Sequence, residues 1–227
     1  MEFEALRREV WRANRDLPAL GLVVMHSGNA SGIDRERGLV LIKPSGVDYE
    51  ALRPEDLAVL TLDGRRPAPA EVPDGLCADL RPSVDAPHHL ALYRADPAIG
   101  GVVHTHSNFA TAWAAVGRSI PCALTAMADE FGGEIPCAPY ASNRGDEIAA
   151  AILAHRTRAP AVLLAGHGVF AFDRSPRAAV KAAAMVEDAA KTLWLATHLG
   201  EPAPLPPEEI ERWWTRYHET YGQVTRS

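Results

Sequence analysis

The stretch GGVVHTHSN, Gly100 to Asn108, sets small and β-branched residues directly before two histidines one residue apart. The apolar run reads as a buried strand, and residues i and i+2 of a strand share a face about 7 Å apart. His104 and His106 therefore project together, with Thr105 on the opposite side. Either they are partly exposed strand-end histidines or they form half of a metal site that other parts of the chain complete.

Working outward, elements of both kinds alternate along the 227 residues. Leu6, Val10, Ala13 and Leu17 fall at helical spacing, ending near Pro18. A short strand is expected around Leu22 to Met25, then a polar loop, SGNASG, then the strand GLVLIKPSG. Leu57 to Leu62 reads as a strand turning at Asp63-Gly64. SVDAPHHLALYRA reads as a helix whose start is marked by Ser83 or Asp85 and Pro87. After the GVVHTH strand, helices are expected over Phe109–Val116 and Asp146–His155, then the strand AVLLAGHG with a hairpin-like return, VFAFD. Ser175 caps a long helix with Pro176 at its first position, reaching toward Gly200, and a final helix opens at PPEEI. Such alternation implies one α/β domain spanning residues 1–227, a central, mostly antiparallel sheet covered by helices.

Bulk properties narrow the chemistry. The composition, 47% hydrophobic and 23% charged, suits a globular chain, and no apolar run is long enough to span a bilayer. A net charge of −6 without a dense Lys/Arg stripe argues against nucleic acid. Cys77, Cys122 and Cys137 share no metal or redox spacing, which fits reduced thiols and a cytoplasmic location. A chain of this length buries a core without structural metal, so a bound metal would serve chemistry.

Two further residues complete a metal-type set. His167, in LLAGHGVF, also ends an apolar strand, and Asp85 stands at the predicted start of the helix preceding GVVHTHS. Three imidazoles and a carboxylate suit a divalent ion, Zn²⁺ first, with Mn, Co or Ni as alternatives. His88 and His89 are expected on the helix surface or supporting the ligands; His26, His155, His198 and His218 lack a comparable setting. IKPSGVD places Lys43, Ser45 and Gly46 in a turn able to meet an anion, and Ser83 sits at a helix start. Each of these is also an ordinary turn or cap.

The motifs GNASGID, IKPSGVDY, PSVDAPHHLALY, GGVVHTHSNFAT, ADEFGGEIPC and GHGVFAF, in this order over nearly the whole chain, resemble the class II aldolase/epimerase family. That family includes L-fuculose-1-phosphate aldolase, L-ribulose-5-phosphate 4-epimerase and non-catalytic adducin-type relatives. IKPSGVDY and the terminal Tyr221-Gly222-Gln223 look like the ribulose-phosphate epimerase branch. The resemblance implies a homotetramer with active sites between neighbouring subunits, and metal ligation by His104, His106 and His167 with Asp85 as the acidic position. It implies binding of a phosphorylated ketose through Asn29, Ser45, Gly46 and Ser83, with Lys43 close by. Asp129 and Tyr221 match two proton-transfer residues supplied by a neighbouring subunit. The implied chemistry is C3–C4 cleavage to an enediolate, then re-addition to the other face of the aldehyde. Val84 replaces a second serine of the epimerase pattern, Glu130 stands where an aromatic residue is frequent, and YASNRG leans toward the aldolases. An aldolase acting on L-fuculose 1-phosphate or a related ketose is the alternative. An adducin-like scaffold or a metal-dependent hydrolase stands behind it.

Overall fold

The computed structural model describes residues 2–72 and 80–221; Cys77 and Gly222-Gln223 lie outside them. The elements are α1 (Phe3–Ala19), β1 (Asn29–Asp34), β2 (Leu39–Ile42), β3 (Ala58–Thr61), α2 (Ala86–Ala95), β4 (Gly101–Thr105) and α3 (Asn108–Ala115). They continue with α4 (Thr125–Phe131), β5 (Cys137–Ala138), α5 (Glu147–His155), β6 (Ala161–Leu164), β7 (Gly168–Asp173), α6 (Pro176–Thr197) and α7 (Pro207–Glu219). The strands form one sheet in the order β3-β2-β1-β4-β7-β6-β5. Every neighbouring pair is antiparallel except β5 with β6. A single domain with a mostly antiparallel sheet is thus what the alternation of elements leads to.

Alternation along each strand divides the core. On β4, Val102 packs with α2 and α5 through Leu90, Tyr93, Ile148 and Ile152. Its neighbour Val103 packs on the opposite face with Leu17 of α1, Trp113 of α3 and Val186 of α6. Both valines are fully buried, each contributing about 1.5–3 kcal/mol of hydrophobic stabilisation. On β2 the same alternation sends Val40 and Ile42 to the α2 face and Leu39 and Leu41 to the end of α1.

Two local expectations fail. Residues Leu22–Met25 are not a strand: Val24 and Met25 are exposed and the chain turns, with Ser27 Oγ donating to the Val24 carbonyl at 2.7 Å. The strand instead begins at Asn29, inside the expected polar loop, and all six residues of NASGID are buried. With Ile33 as its one large apolar residue, it escapes a hydropathy reading. The polar groups are satisfied by the helices: Asn14 of α1 brackets Ala30 with bonds of 2.8 and 3.0 Å, and Ser31 Oγ meets His89 and Tyr93 of α2, each at 2.7 Å. α4, over ADEF, has no predicted counterpart because seven residues give too little periodicity to read. The long helix behaves as expected at its start, where Ser175 Oγ accepts from the Ala178 N–H, and it stops at Thr197.

Candidate active site

Register decides what meets His104. Within the sheet its direct partners are Asn29 of β1 and Phe170 of β7. All three face α2, whose first turn begins beside Asp85. The His104 ring stacks on Phe170 with centroids 4.3 Å apart, and its Nδ1 lies 2.8 Å from the Val169 carbonyl. A carbonyl only accepts, so Nδ1–H donates and Nε2 keeps a free lone pair. His106 follows just past β4, and His167 lies in the turn between β6 and β7 rather than on a strand. Ring centroids are 4.6 Å apart for His104–His106, 5.0 Å for His104–His167 and 5.3 Å for His106–His167. Gly168 makes this approach possible. A Cβ there would sit 2.6 Å from His106 Cδ2 and 2.6 Å from the Thr105 carbonyl.

One nitrogen from each of the three histidines lies within 4.8 Å of the others. Burial lowers all three imidazole pKa values, that of His104 to about 4, so the rings are neutral near pH 7. Neutral imidazoles converging on one point are what a divalent cation requires. Asp85 occupies the N-cap position of α2 but makes no capping bond. Its Oδ2 instead accepts from Asn29 Nδ2 at 2.7 Å and Ser83 Oγ at 3.3 Å. Burial alone raises its carboxyl; His104, His89 and the Asn29 amide outweigh that and leave it below its ordinary value. A carboxylate beside three neutral nitrogens fits a divalent cation in charge and donor type.

The same cleft, of about 410 Å³, contains the whole expected anion cradle: Asn29, Lys43, Ser45, Gly46 and Ser83. The turn carrying Lys43 and Ser45 is pinned to the segment before α2. Ser45 N–H donates to the Arg81 carbonyl at 2.9 Å and Ser83 N–H to the Lys43 carbonyl at 3.0 Å. With those two N–H groups committed and the Ser83 hydroxyl turned to Asp85, the Ser45 hydroxyl is the serine donor left to meet an anion. Lys43 supplies a cation whose ammonium lies over the Tyr49 ring at 4.7 Å; burial lowers its pKa against the opposing pull of Asp48.

The lining also includes His26, Ser27, Gly28, Pro44 and Asn143, none of them expected as site residues, and Val84. Val84 is the expected substitution within the phosphate site, whereas His26 is a histidine for which the sequence offers no setting. His26 lies just ahead of β1, and the wrongly placed strand obscured that. Of the two settings expected for His88 and His89, the helix surface is excluded because both are buried, and support of the ligand residues is the one the structure agrees with. Their rings meet Phe170 edge-on at 6.1 and 5.9 Å, beneath the aromatic ring that supports His104.

Asp129 and Tyr221 do not line this cleft in their own chain. Asp129 is half-buried on α4, its Oδ1 without a hydrogen-bond partner among the described residues. Tyr221 follows α7 and is 62% exposed, stacked on Tyr217 with centroids 5.2 Å apart.

The sheet, its helices and the cleft define an α/β protein with three convergent histidines beside a polar turn. The chain belongs to the class II aldolase and adducin family: the Class II Aldolase and Adducin N-terminal domain matches residues 8–194. It is 42% identical over 204 residues to L-ribulose-5-phosphate 4-epimerase UlaF of Salmonella paratyphi C, covering 85% of this chain and 86% of that protein. Among solved structures, an L-fuculose 1-phosphate aldolase superposes with a TM-score of 0.83 at 27% identity, covering 96% of this chain and 98% of the other. YgbL of Klebsiella pneumoniae, described as a putative aldolase/epimerase/decarboxylase, gives 0.80 at 26% identity, with 94% and 99% covered.

Proposed function

We propose that this chain is a metal-dependent sugar-phosphate 4-epimerase that interconverts L-ribulose 5-phosphate and D-xylulose 5-phosphate. The observation that carries the reading is the 42% identity to the UlaF epimerase over 85% of this chain, together with a family match whose residues 8–194 include the histidine cleft. In this reading His104, His106 and His167 hold the cation, Zn²⁺ first, with Asp85 as the acidic group. A bound divalent cation supplies Lewis-acid polarisation of the ketose carbonyl.

The chain's own residues do the rest. Ser45, Ser83, Asn29 and Lys43, with Gly46 in the turn, grip the phosphate. Removal of the proton from the C4 hydroxyl lets the C3–C4 electron pair pass to the carbonyl side, releasing a phosphate-tethered aldehyde. The aldehyde turns about its tether, the electron pair returns to its other face, and a second group returns a proton to the C4 oxygen. Asp129 and Tyr221 are the pair proposed for these transfers, one on each face of the aldehyde. Because neither lines the cleft of its own chain, they serve a neighbouring subunit, and the proposal includes a homotetramer with active sites at the interfaces. A cytoplasmic location belongs to the same reading; no described helix is long and apolar enough to cross a membrane.

The second reading is an aldolase acting on L-fuculose 1-phosphate or a related ketose. It is favoured by the close superposition on such an aldolase and by Val84, 79% exposed at the cleft where the epimerase pattern has a serine. An adducin-like scaffold has no use for three convergent neutral imidazoles. The test is incubation of the metal-loaded protein with L-ribulose 5-phosphate. D-Xylulose 5-phosphate without free aldehyde supports the epimerase, accumulating aldehyde supports the aldolase, and neither product removes both.

A further inference from the structure

A second polar cluster lies away from the histidine cleft, where α4, α6 and α7 meet. Glu130 follows Asp129 on α4 and is 7% exposed, a burial that a carboxylate tolerates only when paired. Its partner is Lys181 of α6, with Nζ 2.5 Å from Glu130 Oε2. The same ammonium donates to the Tyr217 hydroxyl on α7 at 2.8 Å. Tyr217 in turn stacks on Tyr221, with the Arg216 guanidinium 5.1 Å from the Tyr221 ring. One lysine therefore holds the residue beside Asp129 and the residue stacked on Tyr221.

Two contacts close the same joint from the other side. His218 of α7 places Nε2 3.2 Å from the Asp129 carbonyl oxygen, and its ring packs on Trp214 with centroids 3.7 Å apart. Gly132 ends α4 in the left-handed region, φ +61°, and a Cβ there would meet Trp214 Cε3 at 2.6 Å. α7 lays the partly buried Ile210 and Trp213 against the core, and these polar and aromatic contacts fix its last turns against α4.

We propose that Lys181 is a positioning residue which, by bridging Glu130 of α4 and Tyr217 of α7, holds Asp129 and Tyr221 as one preformed acid–base unit. The proposal rests on the proton-transfer roles given to those two residues above. A bridge of this kind spares the exposed Tyr221 from being ordered anew in each turnover, and misplacing a reacting group by about 1 Å costs on the order of 100-fold in rate. Lys181 does not line the histidine cleft and in this proposal acts through Glu130 and Tyr217. Its loss therefore lowers kcat and leaves KM and metal content alone.

The experiment uses the intact, metal-loaded protein. Lys181→Met should lower kcat about 10–100-fold, with KM changed less than about twofold and metal content unaltered. Lys181→Arg, which keeps a charged donor, should recover most of the rate. Lys191→Met, an exposed lysine of the same helix, should leave it unchanged. Because Lys181→Met strands a buried carboxylate, Glu130→Gln/Lys181→Met is measured in parallel, and Tyr217→Phe cuts only the α7 half of the bridge. On a Tyr221→Phe background, Lys181→Met should cost little more, since the two act through one group. Amide exchange at residues 217–221 should speed up about tenfold in Lys181→Met. Wild-type kcat and exchange in Lys181→Met and in the double variant, or fully additive losses with Tyr221→Phe, would overturn the proposal. A wild-type protein without epimerase activity sinks the functional reading instead, while the exchange measurement still decides whether the bridge holds Tyr221.

Discussion

The histidine cleft and the α4–α7 corner hold their chemical groups by opposite means. In the cleft, each donor is fixed by the sheet or by turns attached to it. His104 is locked between Phe170 and the Val169 carbonyl, Asn29 faces it in register, and Asp85 is held by Asn29. In the corner, a helix without a fully buried residue carries Tyr221, and a half-exposed lysine ties it to α4. A group on paired strands inherits the rigidity of the sheet, whereas one on an outer helix is only as well placed as its few contacts. The proposed roles match this contrast: cation holding falls to the rigid cleft, and proton transfer across a subunit boundary to the corner.

The largest expected effect lies in the cleft. His104→Ala removes a fully buried donor, so cation content, measured by elemental analysis after dialysis, should fall below about one-fifth of wild type, and turnover should fall at least about 1,000-fold. Tyr221→Phe or Asp129→Asn should cut turnover about 100-fold or more while cation content stays at the wild-type level. Loss of cation in either corner variant would erase the distinction between the regions. Gly168→Ala keeps every donor yet pushes a Cβ to 2.6 Å from His106, and should weaken cation affinity about 10–100-fold by competition titration. Ser45→Ala should raise KM for phosphorylated substrate about tenfold with kcat little changed, the loss of one hydrogen bond to a charged group; an unaltered KM takes Ser45 out of the cradle. The smallest effect is expected at the rim of the corner. Glu211→Gln breaks the exposed ion pair with Arg158 at 2.6 Å, and thermal or urea unfolding should change by less than about 1 kcal/mol.

Much of the cleft was legible because its residues announce themselves by type and spacing. GVVHTH declares both a buried strand and two imidazoles on one face, and AVLLAGHG repeats the signal. Lys43, Ser45 and Ser83 read as turn and cap residues, and the structure gathers all of them at one cleft. What stayed hidden was small or distant. NASGID is a buried strand with a single large apolar side chain, Ile33, and its polar groups find partners far along the chain, among them Ser83, Asp85, His89 and Tyr93. Asn143 enters the cleft from a loop far along the chain, and Lys181 meets Glu130 across fifty-one positions. No local pattern marks either.

The sequence by itself determined the class of fold and picked out the three histidines, Asp85 and the serines that the structure gathers at one cleft. Periodicity and residue chemistry act within a few positions and can be read one segment at a time. Tertiary structure alone decided that β1 lies beside β4, so that Asn29 faces His104. It also decided that His88 and His89 are buried under Phe170, and that Asp129 and Tyr221 stand apart from the cleft of their own chain. The reason is physical: strand order and helix docking are set by which buried polar groups find partners and which surfaces fit. Those partners lie tens of residues apart.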